Sequence, residues 1–303
     1  MKAETGPAPV VSIILVNFND AAHLPECLSA IEADAGGVDR EIIVVDNAST
    51  DGSAALVAER FPRASLVRNE KNDGFGRANN RAVRESRGEF LLFMNTDVVL
   101  HPGALGLLTE EMRTHSDTGV VGPALLTPGG AFQPSFGGRT GFFSEMAKKG
   151  FLNRLRTREL RKDRSRREVR WVSGAFLLAR RQAFLEAGGF DEGFFLYFED
   201  IDLCERIFDK GWKVIFLPDA VSLHHGGAST SARPLRSRVE YRKSQIRFYR
   251  KHGSAASLLL LKAYLRLSLA GLSLSGAFGG DPDGGALRSE FREALRRANG
   301  GSS

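Results

Sequence analysis

Short apolar runs alternate with helical spacings along the first 127 residues. The runs VSIILVNF (11–18), EIIVVD (41–46), ASLVRNE (64–70), EFLLFMNTD (89–97) and TGVVGPALL (118–126) are compact and apolar, and they predict buried strands. Between them apolar residues recur at helical intervals: over about 21–34, through Leu56, Val57 and Phe61, and across GRANNRAVRES (76–86) and GALGLLTEEMRTH (103–115). Ser49 or Thr50 is the expected N-cap of the second helix. Strands alternating with helices imply right-handed crossovers and a parallel sheet covered on both faces.

Such sheets bind ligands beyond the carboxyl ends of their strands. Polar residues gather at those ends here: Asn17 and Asn19, then Asp46 and Asn47, then Arg68 and Asn69, then Asn95 and Asp97. After residue 127 the alternation breaks. TPGGAFQPSFGGRTGFF (127–143) reads as irregular loop, WVSGAFLLARR (171–181) as one strand, RQAFLEAGG (181–189) as a helix stopped by glycines, and WKVIFLPDAVSLHH (212–225) as a strand. In FFLYFEDIDLCER (194–206) and the residues after it, Ile201, Cys204, Ile207 and Phe208 recur at helical spacing until Gly211. Glu199 and Asp200 therefore open a helix, where the dipole favours anions, and Asp202 and Arg206 are expected to pair outward. Residues 254–278 form a leucine-rich helix interrupted by Lys262 and Arg266, too charged to span a bilayer but suited to a membrane interface. Residues 279–303 are expected to be a mobile tail.

Composition changes the picture in two ways. With 42% apolar and 26% charged residues the chain is an ordinary globular one, and two distant cysteines argue against a disulfide scaffold or a thiolate metal site. The opening MKAETGPAP lacks an apolar signal core, so a cytoplasmic location is expected. The formal charge of +6 is uneven: residues 154–170 carry nine basic and three acidic side chains, residues 233–251 eight and one. Two basic segments on an otherwise acidic body point to a localised anionic partner: nucleic acid, lipid headgroups or a diphosphate.

Several residues could carry chemistry. Asp46, at a strand end, can accept from a base N–H or a ribose hydroxyl, although VVDNASTDGS (44–53) also suits a turn into a helix. Gly74 and Gly76 precede a helix whose free N–H groups would suit phosphate, without a full dinucleotide fingerprint. Asp97 follows an apolar strand in an Asn-x-Asp spacing that can hold Mg²⁺ or Mn²⁺ against a diphosphate, although Asn95 supplies one charge fewer than two acids would. His224, if turned into the same cleft, would suit Mn²⁺ beside Asp97. The aromatic run ahead of Glu199 and Asp200 would deliver a carboxylate into the semi-dry position that a base for a hydroxyl nucleophile needs.

Taken in order, VSIILVNFN, IIVVDNASTDGS, NDGFGRANNRA, FLLFMNTDV, WVSGAFLLARR and GGFDEGFFLYFEDIDLCER resemble glycosyltransferase family 2, most of all its rhamnosyltransferase-like members, over residues 10–252. The resemblance implies an α/β GT-A fold: a Rossmann-like nucleotide-sugar half (10–127) and an acceptor half (128–253) sharing one mixed, mostly parallel sheet, with a C-terminal helical extension. It implies inverting transfer from a nucleotide sugar, with dTDP-rhamnose the expected donor, to a lipid-linked or polysaccharide acceptor. By motif, Val16, Asn17, Asn19, Asp46, Asn47, Arg68, Gly74, Phe75, Asn79, Asn95 and Thr96 would line the donor pocket. Asp97 and His224 would hold the divalent metal, Asp200 would be the base, and Trp171, Ser173, Gly174 and Glu199 would border the sugar and acceptor. The basic segments and leucine-rich helix then read as a docking face on the inner surface of the plasma membrane, not a nucleic-acid site. A nucleotidyltransferase would show a Gly-rich, basic loop where this chain has NFNDAAH, and a nucleic-acid binder would leave Asp97, Asp200 and His224 without a purpose. The account requires those three side chains to meet at one cavity.

Overall fold

The computed structural model describes residues 10–34, 37–141, 165–226, 234–278 and 292. The first half runs β1 (Val11–Asn17), α1 (Leu24–Ala33), β2 (Arg40–Asp46), α2 (Ser53–Arg60), β3 (Ala64–Arg68), α3 (Phe75–Glu85), β4 (Phe90–Asn95), β5 (Val98–Leu100), α4 (Ala104–Thr114) and β6 (Thr118–Leu126). The second half continues with β7 (Phe132–Gln133), β8 (Phe136–Gly137), β9 (Arg167–Val169), β10 (Trp171–Val172), β11 (Phe176–Arg180), α5 (Arg181–Glu186), α6 (Glu199–Asp209), β12 (Lys213–His224), α7 (Pro234–His252) and α8 (Ala255–Phe278).

The main sheet has the order β3-β2-β1-β4-β11-β6-β12-β5. β1 pairs in parallel with both β2 and β4, and β12 pairs in parallel with β6. β11 lies antiparallel between β4 and β6, which makes the sheet mixed but mostly parallel. Strand alternation divides the core. Ile13 and Leu15 face a layer made by α1, α2 and α4, whereas Ile14 faces the layer of α3, α5 and α6. Both faces of β1 are therefore dry, as a continuous apolar run requires, and each of these side chains contributes roughly 1.5–3 kcal/mol by leaving water.

Three local expectations are corrected. WVSGAFLLARR is not one strand: β10 pairs with β8 in a separate two-stranded sheet, and β11 joins the main sheet after a turn at 173–175. The N-cap of α2 is Gly52, in a left-handed conformation, while Asp51 Oδ1 accepts the Ser53 N–H. Ser49 is unavailable as a cap because its hydroxyl accepts from Asn17 Nδ2 and the Asn19 N–H. Asp202 does not point outward; it is fully buried, with Oδ2 bound to Arg206 and Oδ1 to Lys251 and His252. Those bonds outweigh the effect of burial and hold its carboxyl below the usual range.

The leucines of α8 do not form a single face. Leu261 and Leu265 are buried against Phe194, Phe198, Ile246, Phe248 and Tyr249, whereas Leu259 and Leu267 remain 67% and 73% exposed. A helix with leucine at so many positions cannot bury them all along one stripe. Basic side chains of both segments are tied into ion pairs. Arg166 grips Glu111 with two parallel bonds, Arg170 pairs with Glu205, and Arg247 and Lys251 bind Asp191. Residues 154–164 and 279–291 lie outside the described residues, as do 293–303.

Candidate active site

A cavity of about 580 Å³ opens where the carboxyl ends of β1 and β4 meet the start of α6. Val16, Asn47, Gly74, Phe75, Asn95, Thr96 and Asp97 line it, as do Trp171, Ser173, Gly174, Glu199, Asp200 and His224. Asn17, Asn19, Asp46, Arg68 and Asn79 lie off this lining. Asn17 Nδ2 donates to Asp46 Oδ1 at 2.9 Å and to Ser53 Oγ at 2.8 Å, and Asn19 Oδ1 accepts the Thr50 N–H at 2.7 Å. Asn79 Nδ2 donates to the Phe75 carbonyl, and Arg68 is exposed at the edge strand. These groups shape the loops around the cavity.

The meeting of Asp97 and His224 is a consequence of strand pairing. β5 runs antiparallel to β12 with Val98 opposite His224, and the His225 N–H donates to the Asp97 carbonyl at 3.0 Å. His224 Nε2 then stands 3.3 Å from Asp97 Oδ1. On the far side of the imidazole, Nδ1 is 2.7 Å from Gln133 Oε1, while Gln133 Nε2 donates to the His224 carbonyl at 2.8 Å. With the amide so oriented, Nδ1–H donates to it and Nε2 is the ring nitrogen that faces Asp97. Gln133 escaped sequence reasoning because it sits in a Gly-, Pro- and Phe-rich loop with no spacing signal.

Asp200 is placed by a second set of contacts. The pairing of β11 with β4 sets the 173–175 turn beside Asn95, whose N–H donates to the Ala175 carbonyl at 3.0 Å. Gly174 N–H then donates to Asp200 Oδ2 at 2.7 Å, and Ile201 N–H donates to Oδ1 at 2.8 Å. A Cβ on Gly174 would stand 3.0 Å from the Asp200 Cβ, so only glycine allows this approach without displacement. The chain enters α6 through Tyr197 and Phe198, both left-handed at φ 70° and 66°. Two consecutive aromatic residues in that region store about 1–3 kcal/mol each, a strain held by the surrounding packing. Glu199 is buried, and burial followed by the charge of Asp200 pushes its carboxyl up to about 8. The N-terminal part of α7, read from sequence only as part of a basic surface, supplies Arg236, Ser237, Glu240 and Tyr241 to the cavity wall.

Among the described residues no cluster of three or more His, Cys, Asp or Glu side chains could enclose a metal. The Asp97–His224 pair offers one oxygen and one nitrogen donor, which fits a cation that completes its shell with substrate phosphates and water.

Residues 12–188 match the family model described as glycosyl transferase family 2. The chain belongs to glycosyltransferase family 2. Over 281 residues, 86% of this chain and 91% of the relative, it is 31% identical to an N-acetylglucosaminyl-diphospho-decaprenol L-rhamnosyltransferase of Mycobacterium tuberculosis. A shorter match, 40% identical over 57 residues (19% of this chain, 22% of the relative), is to rhamnosyltransferase WbbL of Escherichia coli. Among solved structures, a mannosyltransferase from Pyrobaculum calidifontis in complex with GDP-Man and Mn²⁺ superimposes with a TM-score of 0.60 at 21% identity, over 97% of this chain and 83% of that one. The fold is GT-A, with the expected mixed sheet. Membership of this family makes the chain a glycosyltransferase.

Proposed function

We propose that this glycosyltransferase moves L-rhamnose from dTDP-L-rhamnose to a hydroxyl of a lipid-linked, diphosphate-bearing sugar acceptor, with inversion, in cell-wall or polysaccharide assembly. The observation that carries the reading is the convergence of Asp97, His224 and Asp200 on one cavity. The Mycobacterium tuberculosis relative, similar over most of both chains, supports the choice of sugar and acceptor.

Asp200 accepts the acceptor hydroxyl proton as that oxygen attacks the anomeric carbon. The N–H groups of Gly174 and Ile201 fix its two oxygens, so the carboxylate is aimed before substrate arrives. A single displacement of this kind needs one base and no covalent nucleophile, and it inverts the anomeric centre. Asp97 and His224 would hold Mg²⁺ or Mn²⁺, which when bound neutralises charge on the departing diphosphate. Gln133 keeps the His224 ring turned toward Asp97. Phe195, Tyr197, Phe198, Trp171 and Tyr241 wall the cavity and exclude water from the reacting atoms.

The acceptor's lipid places the enzyme at the cytoplasmic face of the plasma membrane. Among the described residues no helix is long and apolar enough to cross it. The outward stripe of α8, Leu259, Leu260 and Leu267 with Arg266, supplies an apolar and basic face for contact with anionic lipid. A thermal-shift panel of dTDP, UDP and GDP and their sugar conjugates, with and without Mn²⁺, tests the donor assignment. The largest stabilisation is expected from dTDP-L-rhamnose with Mn²⁺. A larger one from a different sugar nucleotide overturns it.

A further inference from the structure

Glu199 and Asp200 are adjacent carboxyls on one cavity wall, yet their surroundings differ. Asp200 receives two backbone N–H groups. Glu199 is only 5% exposed, and its Oε2 is buried without a hydrogen-bond partner among the described residues. Its carboxyl accepts from the backbone N–H groups of Glu199 and Tyr197, and no Lys or Arg among the described residues pairs with it. The charged and titratable groups around it are Asp200 and Asp202 on its own helix and Tyr197 before it. Asp97 and His224 on the sheet side, and Arg236, Glu240 and Tyr241 on α7, line the same cavity.

Two neighbouring carboxyls at one site share a single proton, which goes to the more deeply buried group, here the one with an oxygen left without a donor. A buried oxygen without a partner is costly unless a ligand supplies one. We infer that Glu199 is a neutral carboxylic acid whose Oε2–H donates to a hydroxyl oxygen of the bound sugar, holding the acceptor against the ionised Asp200. The inference rests on the transferase reading above. The proton that burial and Asp200 retain on Glu199 up to about pH 8 agrees with it. Below that pH the Glu199–Asp200 pair carries one negative charge, on the base. Above it, Glu199 ionises, loses its donor, and sets a second charge beside the first.

The test compares wild type, Glu199→Gln, Glu199→Ala and Asp200→Asn. Transfer from dTDP-L-rhamnose to a short-chain prenyl-diphosphate-linked N-acetylglucosamine is followed between about pH 6 and pH 10, with melting temperatures recorded for each. Wild-type kcat/KM should fall above about pH 8, and Glu199→Gln, which keeps a donor, should lack that fall. At neutral pH Glu199→Gln should lose less than about tenfold and Glu199→Ala roughly 10- to 100-fold. Infrared difference spectra of wild type minus Glu199→Gln should show a protonated carboxyl band at neutral pH, a readout that needs no substrate. A Glu199→Gln enzyme as dead as Asp200→Asn, or spectra showing only a carboxylate at neutral pH, overturns the inference. Near-normal turnover in Asp200→Asn instead overturns the base assignment, and the infrared band then still decides the state of Glu199.

Discussion

The protonation of Glu199 has a consequence for stability that can be measured without any substrate. An ordinary glutamate carboxyl titrates near 4.5; in the folded protein burial, and then the charge of Asp200, push Glu199 up to about 8. A raised folded-state value means that folding takes up a proton between those limits. Stability associated with Glu199 is therefore fully present below about pH 4.5 and declines as pH rises toward 8. The interval corresponds to about 5 kcal/mol at about 1.4 kcal/mol per pH unit. Relaxation of the surrounding groups around the ionised form recovers part of this, so roughly 2–4 kcal/mol should be realised. Glu199→Gln has nearly the same shape and no charge to lose. Urea midpoints of the two proteins should coincide near pH 5 and diverge in favour of Glu199→Gln near pH 9, by a large fraction of an ordinary domain's net stability. A constant difference across that range would refute the claim that Glu199 is buried and uncharged.

Three further outcomes follow from the packing. Gly174→Ala sets a methyl 3.0 Å from the Asp200 Cβ and 3.4 Å from Oδ2; because the carboxylate must shift by a few tenths of an ångström, kcat should drop about tenfold with little change in melting temperature. Gly74→Ala, at φ +82° and with its Cβ 2.5 Å from the Phe195 carbonyl, should cost roughly 2–4 kcal/mol in denaturant unfolding, since backbone must move on both sides. Replacing exposed Leu259, Leu260 and Leu267 together with glutamate should leave stability within about 0.5 kcal/mol per site while abolishing co-sedimentation with phosphatidylglycerol vesicles; unchanged pelleting would discard the membrane face of α8.

The regular first half was legible because its signals are local. A run such as VSIILVNF must be buried on both faces, and Gly52, Gly74 and Gly103 mark helix starts, so strands and helices appear where spacing puts them. Burial of Asp202 was not legible, since its partners Lys251 and His252 come from a helix about fifty residues away. The three-residue β5 carries no periodicity, yet its pairing with β12 is what brings Asp97 to His224. Gln133 and the cavity-facing side of α7 depend likewise on tertiary placement. For the site residues, Asp97, Asp200 and His224 line one cavity as the account requires, whereas Asn17 and Asp46 lie off its lining and bond to each other and to the Ser49 N–H.

The most direct test of the account is anomalous diffraction from crystals of Asp200→Asn protein grown with dTDP-L-rhamnose and Mn²⁺. A manganese peak between Asp97 and His224, with the sugar's anomeric carbon facing residue 200 across the cavity, is the predicted result. Manganese bound elsewhere, or a sugar nucleotide whose anomeric carbon points away from residue 200, would contradict it.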